Sequence, residues 1–294
     1  MQGEKPPADS LSRRSLILTG AAVAGTLAFG KPFPITDTPS RGRLKQSVSR
    51  WPFERIPLPE FARAAKGIGL SAIDLLQPEE WPVVADAGLV CSMGYPTRRS
   101  DFIATGFNNP ANHRMLLTEL ETTIPLAARA GVPNVIAMFG NRGGISDPTG
   151  AENCIAGLSR IKRLAEESGV TVCVELLNSK VDHGDYQGDR TAFGVQVVKG
   201  VGSARVKLLY DIYHMQIMEG DVIRTIRDNQ EFIAHFHTGG VPGRNELDGT
   251  QELNYRTVAT AIADTGFSGY VAHEFVPTRD PLTSLREAVA TCDV

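Results

Sequence analysis

Val172-Cys173-Val174-Glu175 is a short apolar run that ends on an acid, and the same form recurs three times downstream. Leu208-Leu209-Tyr210-Asp211, Ile233-Ala234-His235-Phe236-His237 and Val271-Ala272-His273-Glu274 each close on a side chain that can move a proton or hold a cation. The runs are separated by roughly one strand-plus-helix unit or slightly less. Working outward, β-prone runs at 45–51, 71–76, 89–94, 134–139, 171–177, 206–211, 232–238 and 269–276 predict eight strands. Helical stretches lie between them, most clearly at 110–130, 152–168, 252–265 and 282–291. Gly131, Gly169 and Gly266 each follow a helical stretch, as carboxyl-terminal caps do. Pro125 predicts a kink or restart inside 110–130. Eight βα pairs in one chain predict a single α/β domain, a closed (β/α)8 TIM barrel, for which about 250 residues is typical. No Gly-x-Gly-x-x-Gly follows the first strand, so the usual dinucleotide signature is missing.

In such a barrel the carboxyl ends of all strands face one mouth, which would bring Glu175, Asp211, His237 and Glu274 together. Residues two apart on a strand point the same way, so His235 shares the inward side with His237 and lies deeper. His273 by the same parity points outward into the helix layer. Three oxygen donors and one imidazole suit a divalent cation such as Mn²⁺ or Mg²⁺ better than thiolate-rich zinc chemistry. Glu175 and Glu274 would face each other as catalytic carboxylates, one removing a proton beside a carbonyl and the other returning it. The metal would steady the developing enediolate. His214 is three residues past Asp211 and could bond a substrate hydroxyl or hold a ligand in place. Arg244, in the glycine-rich loop after His237, could clamp a carboxylate, and Asn178, just past Glu175, would sit at the same mouth. Flexible turns around Arg244 and Asn178 are the plainer alternatives.

The bulk composition excludes more than it identifies. The formal charge is −3, and Lys and Arg are scattered without an aromatic-interleaved stripe, so no nucleic-acid partner is expected. Four well-separated cysteines, Cys91, Cys154, Cys173 and Cys292, read as buried thiols and not as a disulfide scaffold. The first 30 residues are of another kind. Ser12-Arg13-Arg14-Ser15-Leu16-Ile17 sets two arginines before an apolar run from Leu16 to Gly30, short for a membrane span and suited to a signal h-region. The pair resembles a bacterial twin-arginine export signal. The expected organisation is therefore a signal at 1–30, a Pro-containing linker at 31–43 and the barrel at 44–294. A periplasmic location and no stable membrane span after signal removal follow as expectations.

Val174-Glu175-Leu176-Leu177-Asn178, Asp211-Ile212-Tyr213-His214-Met215-Gln216 and the stretch from His235 to Tyr255 carry a family resemblance. Its most specific piece is Pro242-Gly243-Arg244-Asn245-Glu246 followed by Glu252-Leu253-Asn254-Tyr255. The sequence resembles the sugar-isomerase barrels that include hydroxypyruvate isomerase, over most of 44–294 and most strongly after 170. The resemblance implies a metal on Glu175, Asp211, His237 and Glu274, the two glutamates as acid and base, and substrate on His214 and Arg244. Related barrels also form homo-oligomers. Two departures stand out. Hydroxypyruvate isomerases usually carry Gln where His237 stands, whereas the related ketose 3-epimerases carry His there. Those epimerases usually place a substrate-binding acid six residues after the first ligand, where Val181 stands here.

The leading expectation is a metal-dependent isomerase of a small hydroxy-carbonyl acid or sugar. Ketose 3-epimerisation and inosose dehydration use the same groups. A periplasmic sugar-binding barrel without turnover is the non-enzymatic alternative. An abasic-site endonuclease would need more histidines and a basic face than this chain has.

Overall fold

The computed structural model describes residues 42–294. Residues 1–41, and with them the expected export signal and most of the expected linker, lie outside the described residues. Eight parallel strands close into one barrel in sequence order: β1 Lys45–Ser49, β2 Ala72–Leu76, β3 Val90–Gly94, β4 Asn134–Met138, β5 Thr171–Leu176, β6 Val206–Asp211, β7 Ile233–Thr238 and β8 Tyr270–His273. The seam is β1 against β8, with Val48 opposite His273. The helices α1 Leu58–Ile68, α2 Trp81–Asp86, α3 His113–Ala130, α4 Asp147–Leu158, α5 Lys162–Ser168 and α6 Thr191–Val201 accompany the first strands. After them come α7 Ile212–Met218, α8 Val222–Asn229, α9 Tyr255–Asp264 and α10 Pro281–Cys292. Among the described residues no helix is long and apolar enough to cross a membrane.

All eight expected strands are present, and two helix expectations need correction. The stretch 152–168 is two helices. Arg160 N donates to Gly157 O at 3.1 Å and Ile161 N to Leu158 O at 3.2 Å, so the last turn of α4 tightens and ends before α5 starts. Pro125 does not restart α3, which runs unbroken from His113 to Ala130. Its buried stripe, Leu116, Leu117, Leu120, Ile124 and Ala127, spans the proline and holds both halves to the barrel. Gly131 and Gly169 cap α3 and α5 at φ of 70° and 68°, where a side chain would be strained.

The barrel interior is more polar than the branched apolar layers usual in this fold. Ser47 and Ser92 hydroxyls lie 2.6 Å apart, Ser92 Oγ donates to Asp74 Oδ1 at 2.7 Å, and Asn134 Nδ2 donates to Ser92 O at 2.8 Å. Buried polar groups are tolerable there because they satisfy one another. The apolar core lies instead between strands and helices, where Phe53 stacks on Phe61 at 5.0 Å and meets Phe275 edge-on at 6.0 Å. His273 faces that outer layer, its ring between Gln46 Oε1 at 2.9 Å and Thr238 Oγ1 at 3.0 Å.

At the mouth, Tyr186 ties two strand ends together. Its buried hydroxyl accepts from Phe139 N at 3.0 Å and donates to Glu175 O at 2.9 Å. The Tyr186→Phe protein should lose about 1–3 kcal/mol of stability, since Phe139 N–H is left unsatisfied in a dry setting. Urea unfolding followed by circular dichroism measures this, and an unchanged midpoint would refute the assignment.

Candidate active site

Each candidate residue reaches the mouth because its strand delivers it there. Asp211 closes β6, Glu175 and His237 are the penultimate residues of β5 and β7, and Glu274 is the first residue past β8. Glu274 stays in register because its N–H donates to Thr238 O at 2.9 Å. Glu175, Asp211, His237 and Glu274 each offer one ligand atom, and these atoms all lie within 4.8 Å of one another. His237 Nδ1 sits at the centre, 2.7 Å from Glu274 Oε2, 3.3 Å from Glu175 Oε1 and 3.9 Å from Asp211 Oδ2. It is buried and has no aligned hydrogen-bond partner. An imidazole nitrogen facing three acceptor-only carboxylates is a donor set that fits a divalent cation.

A cavity of about 460 Å³ opens above these groups, walled by Trp51, Tyr95, Phe102, His183, Arg244 and the two glutamates. Its size suits a small metabolite. Arg244 enters from the loop after β7 and is already engaged. Its guanidinium donates to Asp211 Oδ2 at 2.9 Å, to the Glu274 carboxylate, and to Glu274 O at 3.1 Å. Trp51 and Tyr213 flank it with ring centroids at 5.5 and 5.2 Å, in cation–π range. Trp51 Nε1 also donates to Glu274 Oε1 at 2.6 Å.

His214 is fully buried behind this wall. Its Nδ1 accepts from Asn178 N at 3.1 Å and faces Asn178 Nδ2 at 2.7 Å. The Asn178 carboxamide is fixed by its oxygen, which accepts from Val181 N and Asp182 N at 3.0 and 2.9 Å. Nδ1 is therefore an acceptor and the ring proton belongs on Nε2, which points at Arg244 Nη1 3.0 Å away. Asp211 Oδ2 lies beside both groups, 3.6 Å from His214 Nε2 and 2.9 Å from Arg244 Nη2. Asn178 itself differs from expectation. It is wholly buried, with its amide used on Asp182, the local turn and His214, and it orients the imidazole instead of lining the cavity.

Sequence reading missed four participants. Asp74, Trp51, Tyr186 and His183 come from other parts of the chain and meet the site only when the barrel closes. Asp74 alone left a signal, an acid inside the apolar run Ala72-Ile73-Asp74-Leu75-Leu76. It lies beneath His237, with Oδ2 2.7 Å from Nε2.

Burial and neighbouring charge push these groups apart. Burial raises Asp211 to about 7, with Arg244 acting against it. Burial also disfavours a charged Glu274, yet His237 and Arg244 hold its carboxyl well below the usual carboxylate range. His237 resists the effect of burial because the Glu274 carboxylate lifts it well above an ordinary imidazole. His214 goes the other way, lowered by burial and then by Arg244.

Residues 42–292 match the family described as the xylose isomerase-like TIM barrel. The chain belongs to that family. Among curated relatives, it is similar to the 2-oxo-tetronate isomerase of Cupriavidus necator, 36% identical over 113 residues, covering 38% of this chain and 43% of that one. It is also similar to the hydroxypyruvate isomerase of Escherichia coli, 32% identical over 114 residues, covering 38% of this chain and 44% of that one. These matches span less than half the length of either relative. Among solved structures, the family 2 AP endonuclease of Brucella melitensis superposes with a TM-score of 0.74 at 23% identity, over 82% of this chain and 97% of that one. That likeness speaks to the fold alone.

A pH dependence follows from His237. Its folded-state pKa lies above that of the unfolded chain, so above about pH 7 the native state holds the extra proton and stability falls as pH rises. Groups lowered by burial, such as His214, have finished titrating by then. A cation on Nδ1 must displace that proton. Metal-stripped protein should therefore melt at lower temperature as pH rises from neutral, and cation binding should release a proton. Calorimetric titration in buffers of different ionisation enthalpy checks this, and a buffer-independent heat would contradict it.

Proposed function

We propose that this protein is a metal-dependent isomerase that interconverts a small α-hydroxy aldehyde and ketone of the hydroxypyruvate/tartronate semialdehyde type. One observation carries the reading: two glutamates, Glu175 and Glu274, border the same cavity, and both lie within 3.3 Å of the buried Nδ1 of His237. Glu175, Asp211, His237 and Glu274 would hold a divalent ion, Mn²⁺ or Mg²⁺ by donor chemistry. Such an ion would polarise the substrate's carbonyl and make its neighbouring C–H more acidic.

The side chains supply the rest. One glutamate takes the proton from carbon and the other returns a proton to the adjacent carbon, while the hydroxyl proton passes to the former carbonyl oxygen, so no net proton is gained or lost. Arg244 lines the cavity and would fix a substrate oxygen so that the reacting carbon meets the carboxylates, with His214 packed behind it 3.0 Å from Nη1. Trp51 and Phe102 close the cavity's apolar side and limit water. The 2-oxo acid relatives suggest a carboxylate on the substrate, and the cavity wall agrees. Val181 stands where 3-epimerases usually carry a substrate-binding acid, and it is 69% exposed. The side chain that this loop turns into the cavity is His183, an imidazole 5.3 Å from His214. A hydrogen-bonding ring there accommodates an acidic substrate better than a carboxylate would.

Ketose 3-epimerisation is the second reading, favoured by His at position 237. Product analysis in deuterated solvent separates the two, because the label reports which carbon exchanges. A screen of hydroxy-carbonyl acids and ketoses with added Mn²⁺ should give turnover, and Glu274→Gln at saturating metal should lower kcat by about 10²–10⁴ while ligand affinity is largely kept. A barrel that merely binds sugar would show no turnover before or after the change.

We also propose that the chain is exported, on the strength of Arg13-Arg14 ahead of an apolar segment. Replacing both arginines with lysine should trap the protein in the cytoplasm of a twin-arginine-competent bacterium. Periplasmic fractionation reads the outcome, and unchanged export of the double variant would count against this route.

A further inference from the structure

Asp74 is a fully buried carboxylate on β2 that reaches across the barrel interior to β7. Its Oδ2 lies 2.7 Å from His237 Nε2 and 3.2 Å from His235 Nε2, and its Oδ1 accepts from Ser92 Oγ at 2.7 Å. A carboxylate only accepts, so each of the two ring nitrogens facing it must carry a proton. With Nε2–H committed downward, the remaining nitrogen of His237 is Nδ1. That is the buried atom with no aligned partner, and it faces Glu175, Asp211 and Glu274.

The backbone around Asp74 is bent to make this contact. Its pairing with β3 shifts register on both sides, and Leu75 has φ of 58°, a left-handed conformation that a non-glycine residue rarely adopts. Strain of this kind persists where surrounding structure holds it, commonly beside a functional site.

We propose that Asp74 is a positioning residue for the cation site: it locks the tautomer and rotation of His237, presents Nδ1 as a ligand, and so sets the protein's affinity for its divalent ion. The inference rests on the cation reading of the four mouth residues. Asp74 touches neither substrate nor ion, because the imidazole stands between. His235 closes the arrangement from below by donating to the same oxygen.

The test is metal affinity, read independently of turnover. Mn²⁺ is titrated into the chelator-stripped, otherwise intact protein by calorimetry, for the parent and for Asp74→Asn and Asp74→Ala. Affinity should fall by about 10–100-fold on loss of the acceptor, with Asp74→Asn between the parent and Asp74→Ala. Asp74→Ala binding within about twofold of the parent overturns the proposal, since the loss expected of such a partner is at least tenfold. So does a second Mn²⁺ per chain that vanishes in both variants, because Asp74, His235 and His237 would then be an ion site themselves. A parent that binds no divalent ion removes the cation reading as well, which separates the two failures. Should the variants not fold, ¹⁵N-histidine spectra of the Mg²⁺-loaded parent decide. A proton on His237 Nε2 supports the lock, and a bare Nε2 overturns it.

Discussion

Four carboxylates, Asp74, Glu175, Asp211 and Glu274, surround one imidazole in a site almost closed to water. Buried like charges repel strongly unless matched, and here only Arg244 and a protonated His237 stand against four acids. Burial, with Glu274 and Glu175 nearby, raises Asp211 above the ordinary carboxylate range against the pull of Arg244. Buried acids gathered this closely favour a positive charge among them. The charge balance of the mouth, more than any single hydrogen bond, explains why the surrounding residues are arranged as they are.

Arg244 can serve as a counter-charge only if its loop is held. Two fixings on either side of it do so. Tyr255 OH donates to Gly239 O at 2.6 Å and accepts from Gly239 N at 3.0 Å, which anchors the loop's start to α9. Glu246 anchors its end, accepting from Thr278 N at 2.8 Å, Thr278 Oγ1 at 2.9 Å and Ser284 Oγ at 2.9 Å. Burial opposes its charge, yet these donors and its own backbone bring it down to about 2. Arg244 itself sits at φ of 57°, so the anchors maintain a conformation that the residue would not choose alone. The Pro-Gly-Arg-Asn-Glu and Glu-Leu-Asn-Tyr segments are thus the frame that carries one guanidinium to the acids at the mouth.

The strand ends were readable because the relevant information is local. An apolar run ending on an acid fixes both the strand and the level of its last side chain, and alternation fixes the face. Glu175, Asp211, His237 and Glu274 needed nothing else. Asp74 depends on a register shift in β2, which sequence alternation cannot report. Trp51 and Tyr186 reach the mouth from loops whose path is set by packing. Asn178 and Arg244 were placed at the right end of the barrel, but their partners depend on side-chain directions. Asn178 turned inward to His214, and Arg244 went to the acids. Pro125 was misread for a related reason: tertiary packing of one helical stripe outweighed a local breaker.

A polar interior is affordable in this barrel because stability is generated elsewhere. The large apolar side chains, Phe53, Phe61, Phe236 and Phe275 among them, lie in the layer between strands and helices, and their burial does not depend on what fills the barrel. Inside, Ser47, Ser92 and Asn134 contribute little hydrophobic burial, but they bond to one another and to Asp74. A leucine or valine at these positions would add burial energy of about 1.5–3 kcal/mol each. At position 92 it would also leave Asp74 short of a donor, and through it the ring that the mouth is built around. The interior therefore gives up packing energy for orientation, and the outer layer makes that exchange tolerable.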